Sequence, residues 1–100
     1  MKLSLSFYEK RMKQQNGKCY YCGGVLVLGD RPNGNIEIDH IKPHSKHKDG
    51  TRGNLCLSCC DCNRKKSDHE IKRFRELCNL KYPIKLNNNL FYFESNKIIL

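Results

Sequence analysis

Residues 36–66 read IEIDHIKPHSKHKDGTRGNLCLSCCDCNRKK. The first six alternate, so that Ile36, Ile38 and His40 share one face of a strand while Glu37, Asp39 and Ile41 share the other. Pro43 ends that strand, because it has no N–H to give to a ladder. Lys42 to Gly53 is polar and carries glycines, which predicts an irregular loop, and long loops of that kind inside small domains are usually functional or disordered. Asn54-Leu55-Cys56-Leu57 then resumes as a short strand, expected to pair back antiparallel to the first. Beyond the cysteines, Ile71, Phe74, Leu77 and Cys78 fall at helical spacing, predicting an amphipathic helix over Ser67 to about Leu80 that begins as early as Asn63.

Outward from this centre the signals are shorter. Ser4 to Asn16 reads as a helix with Leu5, Tyr8 and Met12 as its apolar stripe and Gly17 closing it. Cys19-Tyr20-Tyr21-Cys22-Gly23-Gly24 is a tight turn whose glycines can take positive φ angles. Val25 to Leu28 is a short β-rich run, followed by a loop of turn residues from Gly29 to Asn35. Leu90 to Phe93 and Lys97 to Leu100 read as a small terminal hairpin. With no internal repeat, the expected organisation is one domain over 1–100, its core about 17–80 and a C-terminal appendage about 81–100.

A chain of 100 residues builds only a thin hydrophobic core, so a further staple is expected. The N-terminal MKLSLSFYEKRMKQQ lacks the apolar core of a signal peptide. An intracellular, reducing setting is therefore expected, and there cysteine pairs bind metal more often than they form disulfides. Cys19-x-x-Cys22 and Cys59-x-x-Cys62 offer four thiolates, the donor set of a structural, tetrahedral Zn²⁺. The 36 residues between the pairs exceed compact zinc-ribbon spacing, so an insertion is folded between the two halves of the site. Cys56-x-x-Cys59 is a competing register. Cys59 with Cys62 is preferred because Cys56 falls on the second strand, and Cys60 and Cys78 are read as small thiols.

The net charge of +9, from 19 Lys and Arg against 10 Asp and Glu, implies a polyanionic partner. Nucleic acid fits best, since Lys and Arg gain affinity by releasing counterions from phosphates. A merely soluble basic surface is the plainer reading of the same charge. No apolar run approaches the roughly 20 residues of a membrane span.

Taken together, Asp39-His40, Pro43, Asn54-Leu55, Cys59-x-x-Cys62-Asn63 and Arg64-Lys65-Lys66, with the upstream Cys19-x-x-Cys22, resemble the HNH, or ββα-metal, endonuclease motif. The resemblance implies an α+β, small ββα-metal fold: an antiparallel hairpin plus helix, stapled by a four-cysteine zinc site, with the short N-terminal helix and C-terminal hairpin added. It implies that His40 is the general base, that Asp39 and Asn63 hold a catalytic divalent cation, and that the Asn54 amide bridges the loop backbone to orient His40. It also implies products with a 5′-phosphate and a 3′-hydroxyl, and a bacterial or phage-type context.

The chemistry agrees with those roles. An imidazole titrating near neutrality can take a proton from water, and phosphodiester hydrolysis needs charge stabilised on the leaving oxygen. Position 63 is often His in this family. Asn there offers an oxygen instead of an imidazole nitrogen, which points to Mg²⁺ or Mn²⁺. The loop departs from the family's paired glycines, having Asp49-Gly50-Thr51-Arg52-Gly53. Lys42, His44 and Arg52 in the loop and Arg64, Lys65 and Lys66 after the cysteines are candidate contacts to DNA phosphates. His44 is equally well read as a solvated loop residue, and His47 and His69 as surface residues. Lys72, Arg73 and Arg75 are read as a solvated helix face. The competing function is a non-catalytic zinc-knuckle module that binds nucleic acid, in which Asp39, His40 and Asn63 are dispensable.

Overall fold

The computed structural model describes residues 4–30 and 32–93. Helix α1 spans Leu5–Gln14, and its N-cap Ser4 accepts from the Phe7 amide at 3.3 Å. The face it buries is Phe7 and Arg11 rather than the expected Leu5 stripe, since Leu5 is 73% exposed while Tyr8 and Met12 are only partly covered. Arg11 can go inside because its donors are taken. Its Nε donates to the Leu55 carbonyl at 2.9 Å, a second nitrogen donates to the Arg52 carbonyl, and the guanidinium lies 3.9 Å from the Phe93 ring centre.

Next comes the cysteine turn, flanked by a single bridge between Lys18 and Val25. Val25 to Leu28 does not form a strand. Leu26 alone is buried there, and the side chain of Asn35 does the work of a partner strand, accepting from the Val27 amide at 2.7 Å and donating to the Val25 carbonyl at 3.2 Å.

Strands β1 (Ile36–His40) and β2 (Leu55–Cys59) pair antiparallel, with Ile36 opposite Cys59 and His40 opposite Leu55. Leu55 to Ser58 are all buried, because β2 packs against both α1 and the helix that follows it. The connection is more ordered than its polarity predicts. It contains a one-turn helix, α2 (His44–His47), which follows Pro43 and stops at Lys48 in the left-handed region, and a short 3-10 turn at Arg52–Asn54.

The expected single helix is two. Helix α3 (Cys60–Lys66) ends at Ser67, whose φ of 48° and ψ of −128° leave the helical region, and α4 (Ile71–Leu80) starts afresh. Helix α4 buries Ile71, Phe74, Leu77 and Cys78, as the spacing predicts. Ile71, Phe74 and Cys78 pack with Tyr21, Ile41 and Leu57, and Leu86 and Leu90 join the same core from the segment after α4. Asn87 straps that segment to the cysteine turn, its amide group donating to the Tyr20 carbonyl and its backbone N–H to that of Tyr21, both at 2.6 Å. The Lys97 to Leu100 half of the expected terminal hairpin lies outside the described residues. Among those described, no helix is long and apolar enough to cross a membrane. The result is the α+β architecture read from the sequence, a ββα unit of β1, β2 and α3 with the cysteine turn packed beside it.

Candidate active site and cysteine cluster

Four sulfur atoms, those of Cys19, Cys22, Cys59 and Cys62, converge within 4.8 Å of one another. The turn that carries the first two needs a left-handed residue, and Gly23 supplies it with φ 74°, while the Gly23 N–H donates to the Cys19 carbonyl at 2.9 Å. Backbone N–H groups face the sulfurs. Gly24 donates to Cys22 at 3.4 Å, Cys59 to Cys19 at 3.3 Å and Cys62 to Cys59 at 3.4 Å. The Cys59 sulfur thereby also caps the N-terminus of α3. The hydrogen bond from Cys62 pulls the Cys19 thiol down to about 5 and pushes that of Cys62 up, and burial raises Cys59 to about 11. This donor set, at this mutual reach and with amide donors on the sulfurs, fits a tetrahedral zinc closed by protein ligands. Cys56 is not part of it. It lies fully buried in β2, where burial keeps its thiol protonated.

Alternation along β1 puts Glu37 and Asp39 on one face, and that face meets α3. Asn63 and Lys66 are three residues apart on α3 and so project from one side of it. Asn63 Nδ2 donates to Glu37 Oε1 at 3.3 Å, and Lys66 Nζ pairs with Asp39 Oδ2 at 3.0 Å. The Tyr21 hydroxyl, from inside the cysteine turn, donates to the same Asp39 Oδ2. Burial, and after it the nearby Cys56 and Asp39, raise the Tyr21 hydroxyl well above its ordinary range, so it stays protonated and acts as the donor. Among the described residues nothing donates to the other carboxylate oxygen, Oδ1. Asp39 Oδ1 and the Asn63 amide oxygen are hard donors on facing elements, and they fit a cation such as Mg²⁺ or Mn²⁺.

Lys66 corrects an expectation. Read as a phosphate contact, it is fully buried, and besides Asp39 it donates to the His40 carbonyl at 2.9 Å, pinning both residues of the Asp39-His40 pair. Its neighbours differ among themselves. Lys65 pairs with Asp61 at 2.7 Å, Lys42 is half-buried with its ammonium 4.4 Å from the Tyr92 ring centre, and His44, Arg52 and Arg64 are exposed. His47 is at the surface and paired with Glu70 at 2.7 Å.

His40 is the last residue of β1. Its ring centre is 5.0 Å from that of His44, and its Nε2 is buried without a partner among the described residues. Burial and then the neighbouring His44 lower its pKa from the ordinary 6.5, against the opposing pull of Asp39 and Asp49, so the ring is neutral near neutral pH. The loop beyond it is closed by Asn54. That side chain is 1% exposed, accepts from the Lys42 amide at 2.8 Å and donates to the carbonyls of Lys42 at 3.1 Å and Asp49 at 2.8 Å. The Asp49 carboxylate in turn accepts from Thr51 Oγ1 and the Thr51 N–H, which hold it below its usual range.

Tyr21 and Glu37 are site neighbours that the sequence reading passed over. Glu37 was legible, being two residues before Asp39 and hence on its face. Tyr21 was not, because nothing in the cysteine spacing says where its hydroxyl points.

A family model for HNH endonucleases matches residues 19–70, a span that holds both cysteine pairs, both strands, the loop and α3. No curated protein matches the chain. Among solved structures it is similar to the type II-C Cas9 enzyme from Actinomyces naeslundii, with 27% identity and a TM-score of 0.59. That likeness covers 76% of this chain and 7% of the other, so this chain spans a small part of that protein's length. With its motif matched over half its length and its ββα unit framing the same residues, the chain belongs to the HNH endonuclease family, a family of nucleases.

Proposed function

We propose that this domain hydrolyses phosphodiester bonds in DNA, with His40 as the general base. The observation that carries this reading is the His40 ring at the strand end, neutral and buried at Nε2 with no hydrogen-bond partner there among the described residues, one residue after a carboxylate whose Oδ1 accepts from none of them. A buried ring nitrogen left unsatisfied costs free energy in the resting protein, and an incoming water would satisfy it. Accepting that water's proton makes the nucleophile. Asn54 keeps the start of the loop, and with it His40, in one place.

Asp39 through Oδ1 and Asn63 through its amide oxygen would hold Mg²⁺ or Mn²⁺. Such a cation supplies stabilisation of the charge that develops on the phosphate and its leaving oxygen. Cys19, Cys22, Cys59 and Cys62 would hold Zn²⁺, whose role is folding. The exposed His44, Arg52 and Arg64 would contact the DNA backbone, with Lys42 and Lys65 able to join only by leaving their present partners.

The test is cleavage of supercoiled plasmid with Mg²⁺ or Mn²⁺ by the zinc-loaded protein, beside His40→Ala. Loss of a general base lowers the rate by about 10²- to 10⁴-fold, with zinc content and thermal transition unchanged. If the variant cuts as fast as the parent, or neither cuts, the domain is a non-catalytic nucleic-acid-binding module instead.

A further inference from the structure

We infer that Tyr21 is a positioning residue for the catalytic cation, a hydroxyl lent by the cysteine turn to fix which oxygen of Asp39 meets the metal. This rests on the reading of Asp39 as a metal ligand.

Tyr21 lies between two of the four converging cysteines, so its backbone is set by the turn that those sulfurs close. Its ring has no freedom. It is completely buried, edge-on to Phe74 at 5.7 Å and to Tyr20 at 5.1 Å, and its backbone carbonyl is taken by Asn87. A ring held on both sides aims its hydroxyl at one point, and that point is Asp39 Oδ2. Lys66 Nζ reaches the same oxygen from α3, with its ammonium 5.7 Å from the Tyr21 ring centre.

Two donors on one oxygen have a directional consequence. Rotating the Asp39 carboxylate would break a bond to a buried hydroxyl and a bond to a buried ammonium together, and each hydrogen bond to a charged group is worth about 1.5–3 kcal/mol. Oδ1 is therefore the oxygen left without a donor among the described residues, and Asp39 would bind as a single-oxygen ligand whose orientation is settled before the cation arrives. Lys66 divides its ammonium between Oδ2 and the His40 carbonyl, whereas the tyrosine hydroxyl donates to Oδ2 alone from a ring held on both sides. The same contact joins the two metal sites mechanically: a displacement of the cysteine turn moves Tyr21, and with it the carboxylate.

Tyr21→Phe keeps the ring and removes only the hydroxyl. In the zinc-loaded full chain, the expected result is one zinc retained, Mn²⁺ affinity by EPR titration weakened up to about tenfold as the carboxylate loses its fixed orientation, and the metal concentration for half-maximal cleavage raised in step, with a smaller change in kcat at saturating metal. A purely structural tyrosine would lower thermal stability and leave Mn²⁺ affinity unmoved. That outcome overturns the inference. Asp39→Asn is the control for the reading beneath it: if it binds Mn²⁺ as the parent does, Asp39 is not a ligand and the assignment of the cation site fails, whatever Tyr21 does. Should Tyr21→Phe not fold, the parent labelled with 3-fluorotyrosine decides the matter. One ¹⁹F signal that moves on adding Mg²⁺, and stays still in Asp39→Asn, supports the inference, and a spectrum in which none moves overturns it.

Discussion

One oxygen of Asp39 is gripped by two donors, Tyr21 and Lys66, whereas the next residue, His40, has a buried ring nitrogen with no partner among the described residues. The two sides of the end of β1 are built differently. The side toward α3 and the cysteine turn is saturated at Oδ2, where a buried ammonium and a buried hydroxyl meet one carboxylate oxygen. The side toward the loop is left short of one hydrogen bond among the described residues, at the atom that accepts a proton in the proposed function. A ligand is useful when it does not move, and a base when it is not already occupied. Native proteins satisfy nearly all buried polar groups, so a deficit at His40, one residue after a firmly held carboxylate, is what the proposed base role would use.

The largest way to break this contrast is to remove what both sides stand on. Cys59 contributes a sulfur to the cluster, accepts the N–H that caps α3 and ends β2. Structural zinc in small domains supplies about 10–16 kcal/mol of apparent binding free energy, comparable to or larger than the roughly 5–15 kcal/mol by which a domain is stable at all. Cys59→Ala is expected to abolish zinc binding and the cooperative thermal transition together, measured by metal analysis and calorimetry. A folded, zinc-free Cys59→Ala protein would show that the cluster is not the staple.

Lys66 sharpens the comparison by loading only the saturated side. Lys66→Met keeps much of the stem volume and deletes the ammonium, leaving Asp39 buried with one partner and the His40 carbonyl without its donor. Breaking a buried pair from one side costs about 3–5 kcal/mol, read from urea denaturation. Lys65→Met, one position earlier, breaks only a partly exposed i,i+4 pair with Asp61 and is expected to cost at most about 0.5 kcal/mol. Equal costs for the two would contradict the burial of Lys66.

That neighbouring pair also shows where the sequence stops being readable. Arg64-Lys65-Lys66 is, as letters, a basic run beside a phosphate-binding motif. A helix turns about 100° per residue, so once Asn63 faces β1, position 66 must face it too while 64 and 65 turn away. The spacing held that information, but charge counted along the chain concealed it. Arg11 is the same lesson on α1: the cation that looks like a solvent residue goes inside because carbonyls 41 and 44 residues away accept from it, and no local pattern displays those. What was legible is what depends on local period and fixed spacing. The alternation of Ile36 and Ile38 gave β1, the heptad-like Ile71, Phe74 and Cys78 gave α4, and the two CxxC pairs gave the cluster with Cys56 correctly left to the strand. The break at Ser67 was hidden, since neither glycine nor proline marks it. The ordered path of the loop was hidden as well, because it hangs on the buried Asn54 amide.

The smallest effect tests the unsaturated side by itself. As the proposed base, His40 would act only when unprotonated, so cleavage at saturating metal should fall as pH drops through its folded-state pKa. Burial first, and the charge of His44 second, set that value below the ordinary 6.5, so the midpoint of the rate profile should lie on the acid side of 6.5. A cation at Asp39 pushes in the same direction, so the metal is held saturating throughout. His44→Ala removes the second cause and leaves the first. The midpoint should then move upward, toward the ordinary value, without reaching it, while zinc content and the thermal transition stay as they were. His44 is also exposed and is a DNA contact in the proposed function, so each profile is normalised to its own plateau and only the midpoint is read. A midpoint that stays put or moves down would mean that the two rings, 5.0 Å apart at their centres, do not share an electrostatic field, and that burial and the Lys66 ammonium keep His40 neutral without His44.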